Sequence, residues 1–325
     1  MNVCIYIIGQ PRMIDFCVPL YKEIFEHLEP DYYVYHWDEV QEKYTSHINN
    51  KTTLINPEEI VAKYQRILNN NLKEIKVQPN TVINNYKEVV TKLISCLEEN
   101  INKKLKPHNS SNAIRYFKHA LNYISQHHCT NLCNNLRQET TNKKYDCIIR
   151  IRSDLVFRQL YKNKNNINLL TERKEKLYNY LNNFLNIPLI ICDGLMFKEN
   201  AIKANDCFYI TNEMGINTLT NNVCSTWVIN ILQDILGEFT LYKTNHPQIP
   251  MDQHYSLFAN LLYKQPGTEN TELHYMNENI YTRLFCGNEI CRKTVKSNDE
   301  LQDIVRKNAE VKVAHANAFK ESTNI

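Results

Sequence analysis

The chain has 325 residues, 43% of them hydrophobic and 22% charged, enough to bury a full core as one large domain or two small ones. A net charge of +3, with Lys and Arg spread along the chain instead of gathered in a stripe, argues against nucleic acid as the partner. No stretch is long and apolar enough to span a membrane, and the first apolar segment, Val3 to Ile8, is too short and lacks the charged flank of a signal peptide, so a cytoplasmic protein is expected.

Eleven cysteines, an odd and scattered set, show no paired spacing with histidine that would suggest zinc, and Cys129 with Cys133 is one helical turn without a second pair. They read as reduced thiols. Asn50-Lys-Thr and Asn109-Ser-Ser match glycosylation sequons, but a chain this rich in asparagine produces such matches by chance.

In chain order, Val3 to Ile8 is a short apolar strand ended by Gly9-Gln-Pro-Arg12, and a helix follows near Phe16 to His27. Asp31 to Trp37 is a second strand, rich in aromatics suited to a pleated surface. Strand, helix, strand is the usual first unit of an α/β nucleotide-binding sheet, whose ligands bind beyond the carboxyl ends of the strands. Gln10, Arg12, His36 and Asp38 belong at that edge. From about 56 to 137 the pattern is helical and polar, with helices at Pro57 to Leu68, Val82 to Asn100 and Ala113 to Leu136, and reads as a helical insertion in a single domain covering 1–325. Residues 165–186 read as a surface loop plus a helix. Strands return at Pro188 to Cys192 and Asp206 to Ile210, helices near Val223 to Leu236, Met251 to Tyr263 and Asn298 to Asn308, and a short strand at Val311 to Ala314.

The most informative segment is Tyr145 to Phe157, where Arg150, Arg152 and Asp154 alternate with Ile149, Ile151 and Ser153 in an otherwise apolar strand. Burying charges without partners costs several kcal/mol each, so either protein carboxylates or a ligand must compensate them. A phosphorylated ligand with Mg²⁺ or Mn²⁺ on Asp154 suits the set, because guanidinium groups clamp phosphate oxygens and a carboxylate takes the metal. An internal salt-bridge network is the plainer alternative. Arg12 reads equally as a donor-binding or a surface arginine, His36 as a ligand contact or a hydrogen-bonded core histidine, and Trp37 as packing first.

Gly9-Gln-Pro-Arg12, His36-Trp37, Tyr145 to Asp154, and Asp206-Cys-Phe208 followed by Met214 together resemble a loose group of glycosyltransferase-like proteins of bacteria and large DNA viruses. The resemblance spans roughly the first two hundred residues outside the insertion. It implies a GT-A-like fold, an α/β Rossmann-type mixed sheet flanked by helices, and transfer of a sugar from a nucleotide-sugar donor to a glycan, protein or lipid acceptor, in the host cytoplasm if the chain is viral. On that reading Gln10, Arg12, His36, Arg150, Arg152 and Asp206 bind the donor and Asp154 holds the metal. Arg152 stands where the fold's usual metal motif has its first aspartate, so the arginines could instead replace part of the metal's charge. An inverting enzyme needs a general base. Asp252, after Pro250 at a helix start, is the candidate, with Asp193 its rival and His246 and His254 further options. A sugar nucleotidyltransferase would carry a glycine-rich loop after the first strand, and only Gly9 is there. A non-catalytic nucleotide- or glycan-binding protein of the same fold is the other rival.

Overall fold

The computed structural model describes residues 1–41, 52–80, 125–157, 174–184, 186–197, 201–221, 272–276 and 281–283. Strand β1 (Val3–Gly9) is buried along its whole length. A central parallel strand is covered on both faces, which is why its sequence is a near-continuous apolar run instead of an alternating one. It pairs in parallel with β2 (Asp31–Trp37) on one side and β6 (Cys147–Arg152) on the other.

Helix α1 (Ile14–Phe25) links β1 to β2, and α2 (Pro57–Leu68) precedes β5 (Leu72–Gln78), which pairs in parallel with β2. The start of α2 is written in the sequence: the Asn56 side chain accepts from the Glu58 N–H at 3.0 Å, and Pro57 occupies the first turn, where no N–H is needed. A short ribbon of β3 (Glu39–Gln41) and β4 (Thr52–Leu54) stands between β2 and α2. Beyond β6 lie the short strand β7 (Leu155–Phe157), then β8 (Leu189–Phe197) and β9 (Ala201–Thr211), which form an antiparallel pair, with β9 antiparallel to β6. Strand β10 (Glu272–Met276) adds in parallel to β8, and β11 (Tyr281–Arg283) pairs with β7 outside the main sheet. The resulting seven-stranded mixed sheet has the order β10-β8-β9-β6-β1-β2-β5.

One face of the sheet packs on α1 and α2. Ile5, Ile7, Val34, Cys147, Ile149 and Ile151 meet Ile14, Cys17, Val18, Tyr21, Ile24 and Phe25 of α1 and Ile60, Tyr64 and Leu68 of α2, and the inner residues Leu177 and Leu181 of α4 (Lys174–Asn182) join the same cluster. Helix α3 (residues 125–140) covers the opposite face. Its Cys129 and Cys133 thiols donate to the carbonyls of Tyr35 and Tyr33 at 3.2 and 3.7 Å, and the Tyr6 hydroxyl donates to Asn134 Oδ1 at 2.8 Å. Helix α5 (Glu213–Asn221) is tied to α3 through Arg137 and Glu213.

The mixed α/β class stands as expected, and the range of α2 coincides with the expected one. The stretch expected as a helical insertion differs in one respect: β5 is a strand of the main sheet. Leu72, Ile75 and Val77 interleave with Lys73, Glu74 and Lys76, and all seven residues of β5 are intermediate or exposed, so this is a charged edge strand whose polarity imitates an insertion. Residues 113–124 and 82–100 lie outside the described residues; the described part of the expected third helix runs from 125 to 140. The strands expected at 188–192 and 206–210 are longer and form one hairpin, so Asp193 and Asp206 lie within strands. The expected segments at 223–236, 251–263, 298–308 and 311–314 lie outside the described residues.

Candidate functional site

The chain runs outward from β1 to β2 and β5 on one side, then returns to place β6 on the other. The boundary of β1 and β6 is therefore a topological switch point, where open α/β sheets form their ligand crevice beyond the carboxyl ends of the strands. Two loops meet there, the one after β1 and the turn after β6.

Gly9 ends β1 with φ +99°, a conformation that L side chains rarely adopt. Its carbonyl accepts from His36 Nδ1 at 2.8 Å. Since a carbonyl only accepts, Nδ1 carries a proton, and Nε2 of the neutral ring accepts from the Tyr64 hydroxyl at 2.7 Å. Burial pushes His36 down to about 4, against the opposing pull of the Gly9 carbonyl and the Asp154 charge. His36 is 0% exposed. It is a core histidine that fixes the β1 loop, and the ligand contact expected of it gives way because α2 delivers Tyr64 to its outer nitrogen.

The second loop is stapled to the first. Ser153 Oγ donates to the Gln10 carbonyl at 2.7 Å and accepts from the Arg12 N–H at 3.2 Å. From the α1 side, the buried Tyr21 hydroxyl accepts from the Leu155 N–H at 2.9 Å. Its one proton is shared between the carbonyls of Arg152 at 2.7 Å and Leu155 at 2.8 Å. These contacts join residues far apart in sequence, and neither Ser153 nor Tyr21 was marked by any local pattern.

Alternation along β6 ends at Arg152. Ser153 and Asp154 form a turn, which brings the Asp154 carboxylate back onto Arg152 in a two-point pair, Nε to Oδ1 at 2.8 Å and Nη2 to Oδ2 at 2.7 Å. Arg12 Nη1 lies 3.8 Å from the same Oδ2. Asp154 is 1% exposed, so this is a buried carboxylate between two guanidinium groups. A divalent ion at Asp154 would have to sit at contact distance from both cations, and among the described residues no group of three or more His, Cys, Asp and Glu side chains stands together as a ligand set. Among the described residues, the groups around Asp154 pair both of its oxygens with arginine.

Arg150 is placed differently. It opposes Tyr6 in β1 and Tyr209 in β9, with its Cζ 5.4 Å from the Tyr209 ring centroid and its Nη2 donating to Gln126 Oε1 at 3.1 Å. At the neighbouring rim, Asn80 Nδ2 bridges Glu39 Oε1 at 3.1 Å and Ser125 Oγ at 3.3 Å. Burial pushes the Glu39 carboxyl up, with the Asn80 amide opposing it. Trp37 is packing, as expected: it meets Tyr35 edge to face and stacks on His128 at 9°.

The sheet register places Asp193 beside the Cys192 and Tyr209 pair, and the β8–β9 register shifts there, with Asp193 alone opposite Asn205 to Phe208, so the backbones of Asp193 and Asp206 share one irregular stretch of the hairpin. Asp252 lies outside the described residues. The structure thus brings Gln10, Arg12, Arg152 and Asp154 together, sets Arg150 beneath α3, and assigns His36 to the scaffold.

No family model matches the chain, and no curated protein sequence does. Among solved structures, the apo form of mouse xyloside xylosyltransferase 1 aligns over 84% of this chain and 85% of that one, at 9% identity and a TM-score of 0.32, a likeness too slight to bear on fold family or function. No helix of the described residues is long and apolar enough to cross a membrane.

Proposed function

We propose that the chain is a GT-A-like glycosyltransferase that moves a sugar from a nucleotide-diphosphate donor, with the diphosphate at the carboxyl ends of β1 and β6. The observation that supports this is the stapled pair of loops at the switch point, which brings Arg12 and Arg152 together where such sheets bind nucleotides, with Arg150 two residues back along β6. In sugar transfer the bond from the anomeric carbon to the diphosphate oxygen breaks, and negative charge builds on the departing diphosphate. Guanidinium groups held rigid in a water-poor site stabilise that charge. Gln10 and Asp206 complete the proposed donor site, and Asp193 or Asp252 takes the acceptor hydroxyl's proton. A nucleotide- or glycan-binding protein without catalysis is the second reading, favoured by the arginine pairing of Asp154, the carboxylate expected to do chemistry.

The test is a thermal-shift screen against UDP, GDP, CMP, dTDP and their sugars, each with Mn²⁺ and with EDTA, followed by hydrolysis assays on any sugar nucleotide that binds. A ligand at a hundred times its dissociation constant adds about 2.7 kcal/mol. Stabilisation by one nucleotide family together with slow release of its sugar is the expected result. Binding without release in the presence of any acceptor moves the conclusion to the second reading, and no binding at all refutes both.

A further inference from the structure

Arg12, Arg137 and Arg150 are the arginines buried among the described residues. The first two have carboxylates: Arg12 faces Asp154, and Arg137 grips Glu213 at 2.6 and 3.1 Å. Arg150, only 2% exposed, faces no carboxylate among the described residues. Its acceptor there is Gln126 Oε1, a neutral oxygen, while its Nε and Nη1 have no acceptor among the described residues. A guanidinium does not deprotonate to escape burial, so its charge persists in the core.

The place of Arg150 says what kind of group meets that charge. It sits two residues before the carboxyl end of β6, on the face covered by α3. Gln126 belongs to the first described turn of α3 and is half-buried, and its amide oxygen meets the guanidinium. The Tyr209 ring supports the cation from the β9 side.

We infer that Arg150 anchors an oxyanion site, in which phosphate or diphosphate oxygens displace the Gln126 amide and take the donors on Nε and Nη1. A guanidinium offers two parallel N–H groups to such oxygens, a match an ammonium lacks. The site works through a protein cation and needs no divalent ion. That the anion is the diphosphate of a nucleotide rests on the proposed sugar transfer; that Arg150 takes an oxyanion does not.

The experiment compares wild type, Arg150→Met and Arg150→Lys, all in EDTA, by melting temperature and by calorimetric titration with inorganic pyrophosphate and then UDP and GDP. Methionine fills similar space without charge, so free Arg150→Met is expected to melt at or above the wild-type temperature, since no carboxylate among the described residues loses a partner and only the neutral Gln126 amide and the Tyr209 ring lose the cation. Pyrophosphate is expected to stabilise wild type and to bind Arg150→Met at least about tenfold more weakly, with Arg150→Lys in between. If Arg150→Met fails to fold or melts well below wild type, the charge is compensated within the protein and the proposal falls. It falls also if pyrophosphate binds both proteins equally, binds neither, or binds only with Mn²⁺. Nucleoside diphosphates that bind Arg150→Met as tightly as wild type would overturn this site while leaving sugar transfer standing. Pyrophosphate binding through Arg150 with no nucleotide binding would do the reverse.

Discussion

The buried histidine gives the sharpest prediction about the scaffold. His36 is enclosed between the Gly9 carbonyl and the Tyr64 hydroxyl, and burial holds it at about 4, while in an unfolded chain it titrates near 6.5. Between those values the unfolded state binds a proton that the folded state refuses, so stability rises with pH across this window and is lost as pH falls from about 6.5 towards 4. The gap of about 2.5 pH units corresponds to about 3 kcal/mol. Carboxylates also titrate in acid, so the measurement is a difference: urea unfolding of wild type and His36→Asn at intervals from pH 7.5 to pH 4. Asparagine keeps an N–H near the Nδ1 position for Gly9 and lacks a titrating group. Loss of the Tyr64 contact lowers its stability by about 1–3 kcal/mol, an offset that does not change with pH. The wild-type free energy should therefore fall about 3 kcal/mol further than that of the variant between pH 7 and pH 4. Parallel curves would refute the assignment of a neutral, enclosed ring. A wild type that gains stability on acidification would refute the sign.

Asp154→Asn keeps the shape of the carboxylate and removes the charge that pairs with Arg12 and Arg152. It should cost about 3–5 kcal/mol in chemical denaturation carried out in EDTA; unchanged stability there would mean that the carboxylate is not a structural counter-ion and would restore it as a metal ligand. Tyr21→Phe strips the buried Leu155 N–H of its acceptor and frees the turn that carries Arg152. A loss of about 1–3 kcal/mol is expected, with faster amide exchange at Leu155, and an exchange rate equal to wild type would rule out the clamp.

The central sheet was legible because its chemistry is local. Val3 to Ile8 is apolar throughout, and Asn56-Pro57-Glu58 is a helix start that could be read in three letters. Strand β5 escaped because at a sheet edge Lys73, Glu74 and Lys76 serve to discourage further pairing, and a short charged segment beside a true helix reads as more helix. At the site, residue types were legible and partnerships were not. Alternation put Asp154 on the face of Arg150 and Arg152, but the strand stops at Arg152, and one residue of turn separates a ligand-facing carboxylate from a paired one. The contacts that settle the roles of His36 and Ser153 come from 28 and 143 residues away. No periodicity carries such distances; they are fixed by packing two helical layers on one sheet.

The two layers also leave built-in reporters of their own movement. Cys17 lies under α1 on one face, whereas Cys129 and Cys133 lie under α3 on the other, and all three are fully buried. Burial pushes Cys129 up to about 12 and Cys133 well above its ordinary value, despite the nearby Arg150 charge, so neither is a reactive thiolate in the closed state. Alkylation of Cys129 and Cys133 therefore waits for α3 to lift from the sheet, and alkylation of Cys17 waits for α1. Site-resolved thiol labelling would time the opening of each layer separately without an engineered probe, and would show whether an occupant bridging α3 and the sheet slows one clock and leaves the other running.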